Sequence, residues 1–178
     1  KLLIESGMNE AVVDDIVKKK KIEFRKGVIE FFNVVTEHNV PVLIFSAGVG
    51  NIIEKSMIAE GFPMKNTHII SNFFDFDKNG IAKGYKSGIV HTFNKNEGHI
   101  KKSPYYKKIE DRQNVILLGD SLGDSEMLEG LDHKTIIKIG FLNEEIEKSK
   151  EKYAKEYDVL VLNDGSFDYV NDLLKQVI

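Results

Sequence analysis

The chain has 178 residues, 42 % hydrophobic and 30 % charged, with 25 basic against 28 acidic side chains. That length suits one domain, with room for a small appendage and a real core; the hydrophobic content excludes a disordered chain, and no apolar run is long enough for a membrane span. A net charge of −3 argues against electrostatic nucleic-acid binding, and the absence of cysteine excludes a disulfide framework and any thiolate metal site.

No secretory signal is visible, and Lys1 opens the chain inside a helical pattern, so the sequence reads as a fragment. Asn9 to Lys20 has helical spacing, with Val12, Val13, Ile16 and Val17 on one side and Asn9 as N-cap. The four lysines Lys18 to Lys21 fit a solvated helix C-terminus better than a basic binding patch, because cations favour that end of the dipole. A second helix is expected over Lys26 to His38, with Val28, Phe31, Phe32 and Val35 inward. Val42-Leu43-Ile44-Phe45 is a short apolar run between breakers, the pattern of a parallel strand buried on both faces. Ile52 to Glu60 predicts helix up to Gly61, and His68 to Ile70 predicts strand. Phe73 to Tyr85 predicts a hairpin turning on Asp77-Lys78-Asn79-Gly80, with Asn-Gly supplying positive φ angles. A short helix over Ser103 to Ile109, strand Val115 to Leu118 and helix Asp124 to Leu131 follow. Strand Thr135 to Ile139, helix Asn143 to Tyr153, strand Val159 to Leu162 and helix Phe167 to Ile178 complete the chain. Strand and helix alternate without repeat or linker, which predicts an open α/β sheet covered by helices on both faces. Ligands bind such sheets beyond the carboxyl ends of the strands.

Three segments at such ends could carry chemistry. In Gly119-Asp120-Ser121-Leu122-Gly123-Asp124 two carboxylates four residues apart straddle a turn after a buried strand. Such hard oxygens suit Mg²⁺, which takes one or two protein carboxylates and keeps several waters; the alternative is an ordinary loop in which Asp124 caps a helix. Ser46-Ala47-Gly48-Val49-Gly50 follows another apolar strand, where a hydroxyl, backbone N–H groups and a helix start could hold a phosphate oxygen or simply cap the helix. A dinucleotide fingerprint is unsupported, because its third glycine is missing. The third segment, Phe93 to Gly98, offers Lys95, which alone would read as a surface lysine.

Other features fail. Asp75 to Gly80 opens like a calcium loop, but its twelfth position is Lys86, which would repel the cation. The five histidines lack short metal spacing, and no nucleophile elbow of the serine-hydrolase type is present. Phe31, Phe32, Phe45, Phe62, Phe73, Phe74 and Phe76 fit a core better than a base-stacking platform.

Taken together, Pro41 to Gly50, Ile70 to Asp77, Val90 to Lys95 and Ile116 to Asp124 resemble the haloacid dehalogenase superfamily, and within it the cytosolic pyrimidine 5′-nucleotidase (type III) family. Lys138 to Asn143 also fits, and the resemblance runs over nearly the whole chain. It implies a Rossmann-like α/β core with a mostly parallel sheet from residue 22 to 178, and the end of a helical cap over residues 1 to 21. It also implies a cytoplasmic enzyme that hydrolyses pyrimidine or other nucleoside 5′-monophosphates with Mg²⁺ through an aspartyl-phosphate. Ser46 matches the phosphate-binding hydroxyl, with Ala47 and Gly48 beside it, and Lys95 the phosphate-binding lysine. Asp120 matches a magnesium ligand, and Asp124 the acidic residue supporting the metal site.

The sequence departs from the family in two respects: most of the helical cap that encloses the substrate base is missing, and so is the catalytic motif. The family's Asp-x-Asp, which holds the nucleophile and the general acid, has no match before Ser46, since Asp14-Asp15 lies in a helical pattern and Asp75-x-Asp77 on the hairpin. The chain alone is therefore expected to be inactive. The strand before that motif would lie mid-sheet in this superfamily, between the strand ending at Ser46 and the one ending at Asp120. Burying four or five apolar side chains contributes roughly 6–15 kcal/mol, about the whole stability of a domain. Another segment or chain is thus expected to complete the sheet. Two alternatives stay open: a phosphatase of the same superfamily for another small phosphomonoester, and a non-catalytic phosphate- or nucleotide-binding module.

Overall fold

The computed structural model of the chain describes residues 2–91, 97–128, 130 and 132–178. They divide into two compact units, Lys1–Phe24 with Phe32–Thr92, and Arg25–Phe31 with Phe93–Ile178.

The first unit contains α1 (Leu2–Glu5), α2 (Glu10–Lys18), the later turns of α3 (Val28–Glu37), β1 (Val42–Val49), α4 (Gly50–Ala59), β2 (Thr67–Asn72), β3 (Phe74–Phe76) and β4 (Ala82–Tyr85). Asn9 caps α2 as expected, its side-chain oxygen accepting the Val12 N–H at 3.0 Å. Val13 is fully buried, but Val12 is 41 % exposed, contrary to expectation. The packed face of α2 is centred on Val13, with Ile16 and Val17 three and four residues on, and Val12 sits at its margin. Phe32 and Val35 of α3 and Phe45, Met57, Phe62 and Phe74 are buried, so most of the phenylalanines assigned to a core do serve one. Edge-to-face packing of Phe32 on Phe62, centroids 5.0 Å apart, adds to that burial.

β1 and β2 pair in parallel from Val42 opposite Thr67 to Phe45 opposite Ile70, and then Val49 lies opposite Asn72. Four steps along β1 thus match two along β2, and the strand bulges across Ser46–Gly48 instead of ending at Phe45. β3 and β4 form the expected antiparallel hairpin. Its loop is longer than a two-residue turn: the Asp77 N–H donates to the Ile81 carbonyl and the Gly80 N–H to the Asp77 carbonyl. Only Gly80 takes a positive φ, +74°, and Asn79 does not. A three-residue loop needs just one left-handed position, at its end. The Asp77 carboxylate accepts the N–H groups of Asn79 and Ile81, and Lys83 pairs with Asp75 at 3.2 Å, so these acids serve the hairpin.

The second unit contains α5 (Glu97–Lys102), β5 (Asn114–Gly119), β6 (Thr135–Leu142), α6 (Ile146–Glu156), β7 (Val159–Leu162) and α7 (Asp168–Val177). The strands form a parallel sheet in the order β5-β6-β7. Ile139, Phe141 and Val170 are the centre of its core, with Phe31, Ile116, Leu118, Ile137, Val159 and Phe167 packed around them. Arg25 stacks on Phe141 at 4.6 Å, and its guanidinium also donates to the Gly165 carbonyl and the Asn143 side chain. Two helices differ from expectation. Helix α5 was not foreseen, and residues 122–126 form a 3₁₀ turn where a helix to Leu131 was expected. The turn is closed at its start by a capping box between Ser121 and Asp124, and Glu129 and Leu131 of the expected helix lie outside the described residues.

The α/β class with parallel sheets is as expected. Among the described residues β1 pairs only with β2, and β5 only with β6. No described helix is long and apolar enough to cross a membrane.

Candidate functional site

At the end of β1, Ser46, Ala47 and Gly48 occupy the bulge just before α4. The Ser46 hydroxyl oxygen accepts the Gly48 N–H at 3.1 Å. The neighbouring strand holds the bulge from its side. The Ser71 hydroxyl, buried, donates to the Gly48 carbonyl at 2.9 Å, and the Asn72 amide donates to the Ala47 carbonyl at 2.7 Å. The same amide group also donates to the Val90 carbonyl and accepts the Val90 N–H, both at 2.8 Å. α4 starts immediately after the bulge at Gly50, whose position admits no side chain, since a Cβ there would lie 2.5 Å from the Phe73 ring. Ser46 therefore sits where a helix start follows a strand's carboxyl end, on a backbone fixed by two buried polar side chains.

In the second unit, β5 delivers Asp120 exposed at its carboxyl end, while Asp124 is buried. One Asp124 carboxylate oxygen, Oδ2, accepts the backbone N–H groups of Asp120 and Ser121, both at 3.1 Å. Asp124 is thus both the cap of the 3₁₀ turn and the neighbour of Asp120, so the capping and metal readings are compatible. Gly119 is required here: a Cβ would lie 2.6 Å from the Asp124 Cβ. Helix α6 supplies two more partners. Tyr153 donates its hydroxyl to the Asp120 carbonyl at 2.9 Å, and Tyr157 donates to the Ser121 carbonyl. Burial raises the Tyr157 hydroxyl far above its usual range, helped by the charge of Asp124, and burial likewise raises Tyr153, helped by Asp120 and Asp124. Both hydroxyls keep their protons at neutral pH and remain donors.

The described residues thus bring Asp120 and Asp124 together in one turn, and Ser46, Ala47 and Gly48 together in one bulge. Lys95 lies outside the described residues. Among those described, no group of three or more His, Asp and Glu side chains gathers at one point. Mg²⁺ does not need one, and an exposed carboxylate beside a buried one is a donor set that fits it.

The family model described as pyrimidine 5′-nucleotidase (UMPH-1) matches residues 1–178. The chain belongs to this family. It is 39 % identical over 177 residues to 7-methylguanosine phosphate-specific 5′-nucleotidase A of Xenopus laevis, covering 99 % of this chain and 61 % of that protein. To the human 7-methylguanosine phosphate-specific 5′-nucleotidase it is 37 % identical, covering 99 % of this chain and 59 % of that one. The chain therefore spans about three fifths of these relatives. A crystal structure of cytosolic 5′-nucleotidase IIIB (cN-IIIB) bound to cytidine superposes with a TM-score of 0.87 at 32 % identity, covering 95 % of this chain and 57 % of that one. A phosphoserine phosphohydrolase-like protein from Francisella tularensis, at 18 % identity and TM-score 0.58 over 96 % of this chain and 71 % of its own, shares the fold. The resemblance to the pyrimidine 5′-nucleotidases and the haloacid-dehalogenase-like fold both hold.

Four residues of this family member were missed in the sequence: Ser71, Asn72, Tyr153 and Tyr157. Ser71 and Asn72 reach the bulge from β2, and Tyr153 and Tyr157 reach the Asp120–Asp124 turn from α6, all through hydrogen bonds to main-chain carbonyls.

Proposed function

We propose that the full-length protein containing this chain hydrolyses a nucleoside 5′-monophosphate to nucleoside and phosphate. The observation that carries this reading is the Asp120–Asp124 turn, two carboxylates on a main chain pinned by hydrogen bonds at the carboxyl end of β5, in a chain of the 5′-nucleotidase family. Asp120, being exposed, would hold Mg²⁺, with the buried Asp124 supporting it, and that charge would offset the charge on the phosphoryl oxygens. Ser46 donates its hydroxyl to a phosphate oxygen, with the Ala47 and Gly48 backbone alongside, and Lys95 contributes a fixed positive charge there.

The nucleophile is a carboxylate of an Asp-x-Asp that is not among these 178 residues. Its oxygen forms a bond to phosphorus as the bond to the nucleoside 5′ oxygen breaks, and a carboxylic acid protonates the leaving oxygen. Water then cleaves the aspartyl-phosphate, splitting one hard step into two. The chain by itself is accordingly inactive, and the protein works in the cytoplasm.

The name of the family favours pyrimidine nucleotides, and the similar structure holds cytidine. The names of the Xenopus and human relatives favour 7-methylguanosine monophosphate as a second substrate. Phosphate release by the full-length protein from CMP, UMP, 7-methylguanosine monophosphate, AMP and phosphoserine, with and without Mg²⁺, tests the proposal. Turnover of at least one nucleotide, lost on removing Mg²⁺, is expected. Release from phosphoserine alone, or from none of the five, would refute it.

A further inference from the structure

We infer that Tyr153 and Tyr157 are positioning residues that preset the Asp120–Asp124 turn for its divalent cation, an inference that rests on the metal reading above. The argument starts from a seat in the sheet. Gly119 of β5 and Gly140 of β6 face each other in register. A Cβ on Gly119 would lie 2.4 Å from the Tyr157 hydroxyl oxygen, and one on Gly140 would lie 2.8 Å from the Tyr157 ring. Two paired glycines thus leave a trough in the sheet, and the buried Tyr157 ring fills it. One helical turn earlier on α6, Tyr153 stacks on Tyr157, with ring centroids 5.8 Å apart and planes 19° from parallel. The seat places the two hydroxyls over two successive carbonyls, those of Asp120 and Ser121.

The opposite side of the same peptides is held by Asp124, whose Oδ2 accepts the N–H groups of Asp120 and Ser121. Both N–H groups and both carbonyls of these two residues therefore have assigned partners. The peptide planes on either side of Asp120 are fixed, and with them the direction in which its side chain leaves the backbone. A ligand oriented before the cation arrives loses less conformational freedom on binding, and partners behind metal ligands commonly change affinity by about 10–100-fold when removed. The tyrosine ring alone would serve packing. The hydroxyl is what orients the turn, so phenylalanine separates the two roles.

The experiment is calorimetric titration of Mg²⁺ alone, without nucleotide, into the full-length protein and its Tyr153→Phe, Tyr157→Phe and double variants, beside metal-free thermal unfolding. The double variant is expected to bind Mg²⁺ at least about tenfold more weakly and each single variant less so. Tyr153→Phe, on a half-buried side chain, is expected to keep the melting temperature of the parent while losing affinity. Unchanged Mg²⁺ affinity in the variants, with the parent binding normally, overturns the inference and leaves the metal reading standing. No Mg²⁺ uptake by the parent itself overturns both. Should the Tyr157 variants fail to fold, Tyr153→Phe alone decides.

Discussion

Replacing Asn72 by alanine tests how firmly the β1 bulge is held. The side chain makes three hydrogen bonds of 2.7–2.8 Å, two as donor to the carbonyls of Ala47 and Val90 and one as acceptor from the Val90 N–H. Val90 is only 3 % exposed, so water cannot readily replace the lost partner. At 0.5–1.5 kcal/mol per bond the loss is about 3 kcal/mol, a large part of a domain's stability. Urea unfolding of the full-length protein, with hydrogen exchange at the Val90 amide, measures it. The exchange of that amide should accelerate selectively in the variant. Asn72→Asp keeps the acceptor but turns a carboxylate toward two carbonyls. That raises the carboxyl's folded-state pKa, so its deficit should grow as pH rises and shrink on acidification. A loss below about 1 kcal/mol for Asn72→Ala, with Val90 exchanging as before, would refute the reasoning.

Asp120→Asn in the full-length protein should abolish phosphate release, while Lys95→Ala should strongly weaken phosphate handling; unchanged activity in both would sink the assignment. The 178-residue chain on its own should fail to give a compact, monomeric two-state unfolding curve, because β1 and β5 each carry a hydrogen-bonded neighbour on one side only among the described residues. Sedimentation with urea unfolding checks this, and a clean monomeric transition would count against it. Backbone N–H groups of Ile81 and Asn79 hold the Asp77 carboxyl below its usual value of 3.8. The charged form therefore stabilises the hairpin at neutral pH, and that contribution is lost as pH falls through the lowered value. Melting temperatures of the parent and Asp77→Asn should converge below pH 3.8, and a constant difference would contradict the assignment.

The strands were legible wherever a run of branched apolar residues stood between breakers, as at Val42–Phe45 and Val159–Leu162. Their ends were not. β1 continues through Ser46-Ala47-Gly48 because hydrogen bonds from Ser71 and Asn72 hold the bulge, and β6 continues past Ile139 to Leu142 because it pairs with β7 as far as Leu162. Asp120 and Asp124 could be read because they stand four residues apart after an apolar strand. Tyr153 and Tyr157 could not, since their partners lie 33 and 36 residues away. A signal was nonetheless present: Gly119 and Gly140 each follow directly on an apolar strand run, and a glycine there leaves room for a large side chain over the strand.

A hairpin tip is ordinarily where a protein accepts an inserted peptide or a protease cut. The tip between β3 and β4 is different. The Glu10 N–H donates to the Gly80 carbonyl at 2.9 Å, and the Ala82 N–H donates to the Met8 carbonyl at 2.9 Å. The loop is therefore stitched to the start of α2, and a tag or fluorophore placed after Asn79 would pull on a helix more than sixty residues earlier in the chain. Gly88, around which a Cβ would meet nothing within 4 Å, is the more forgiving site for a graft in this unit.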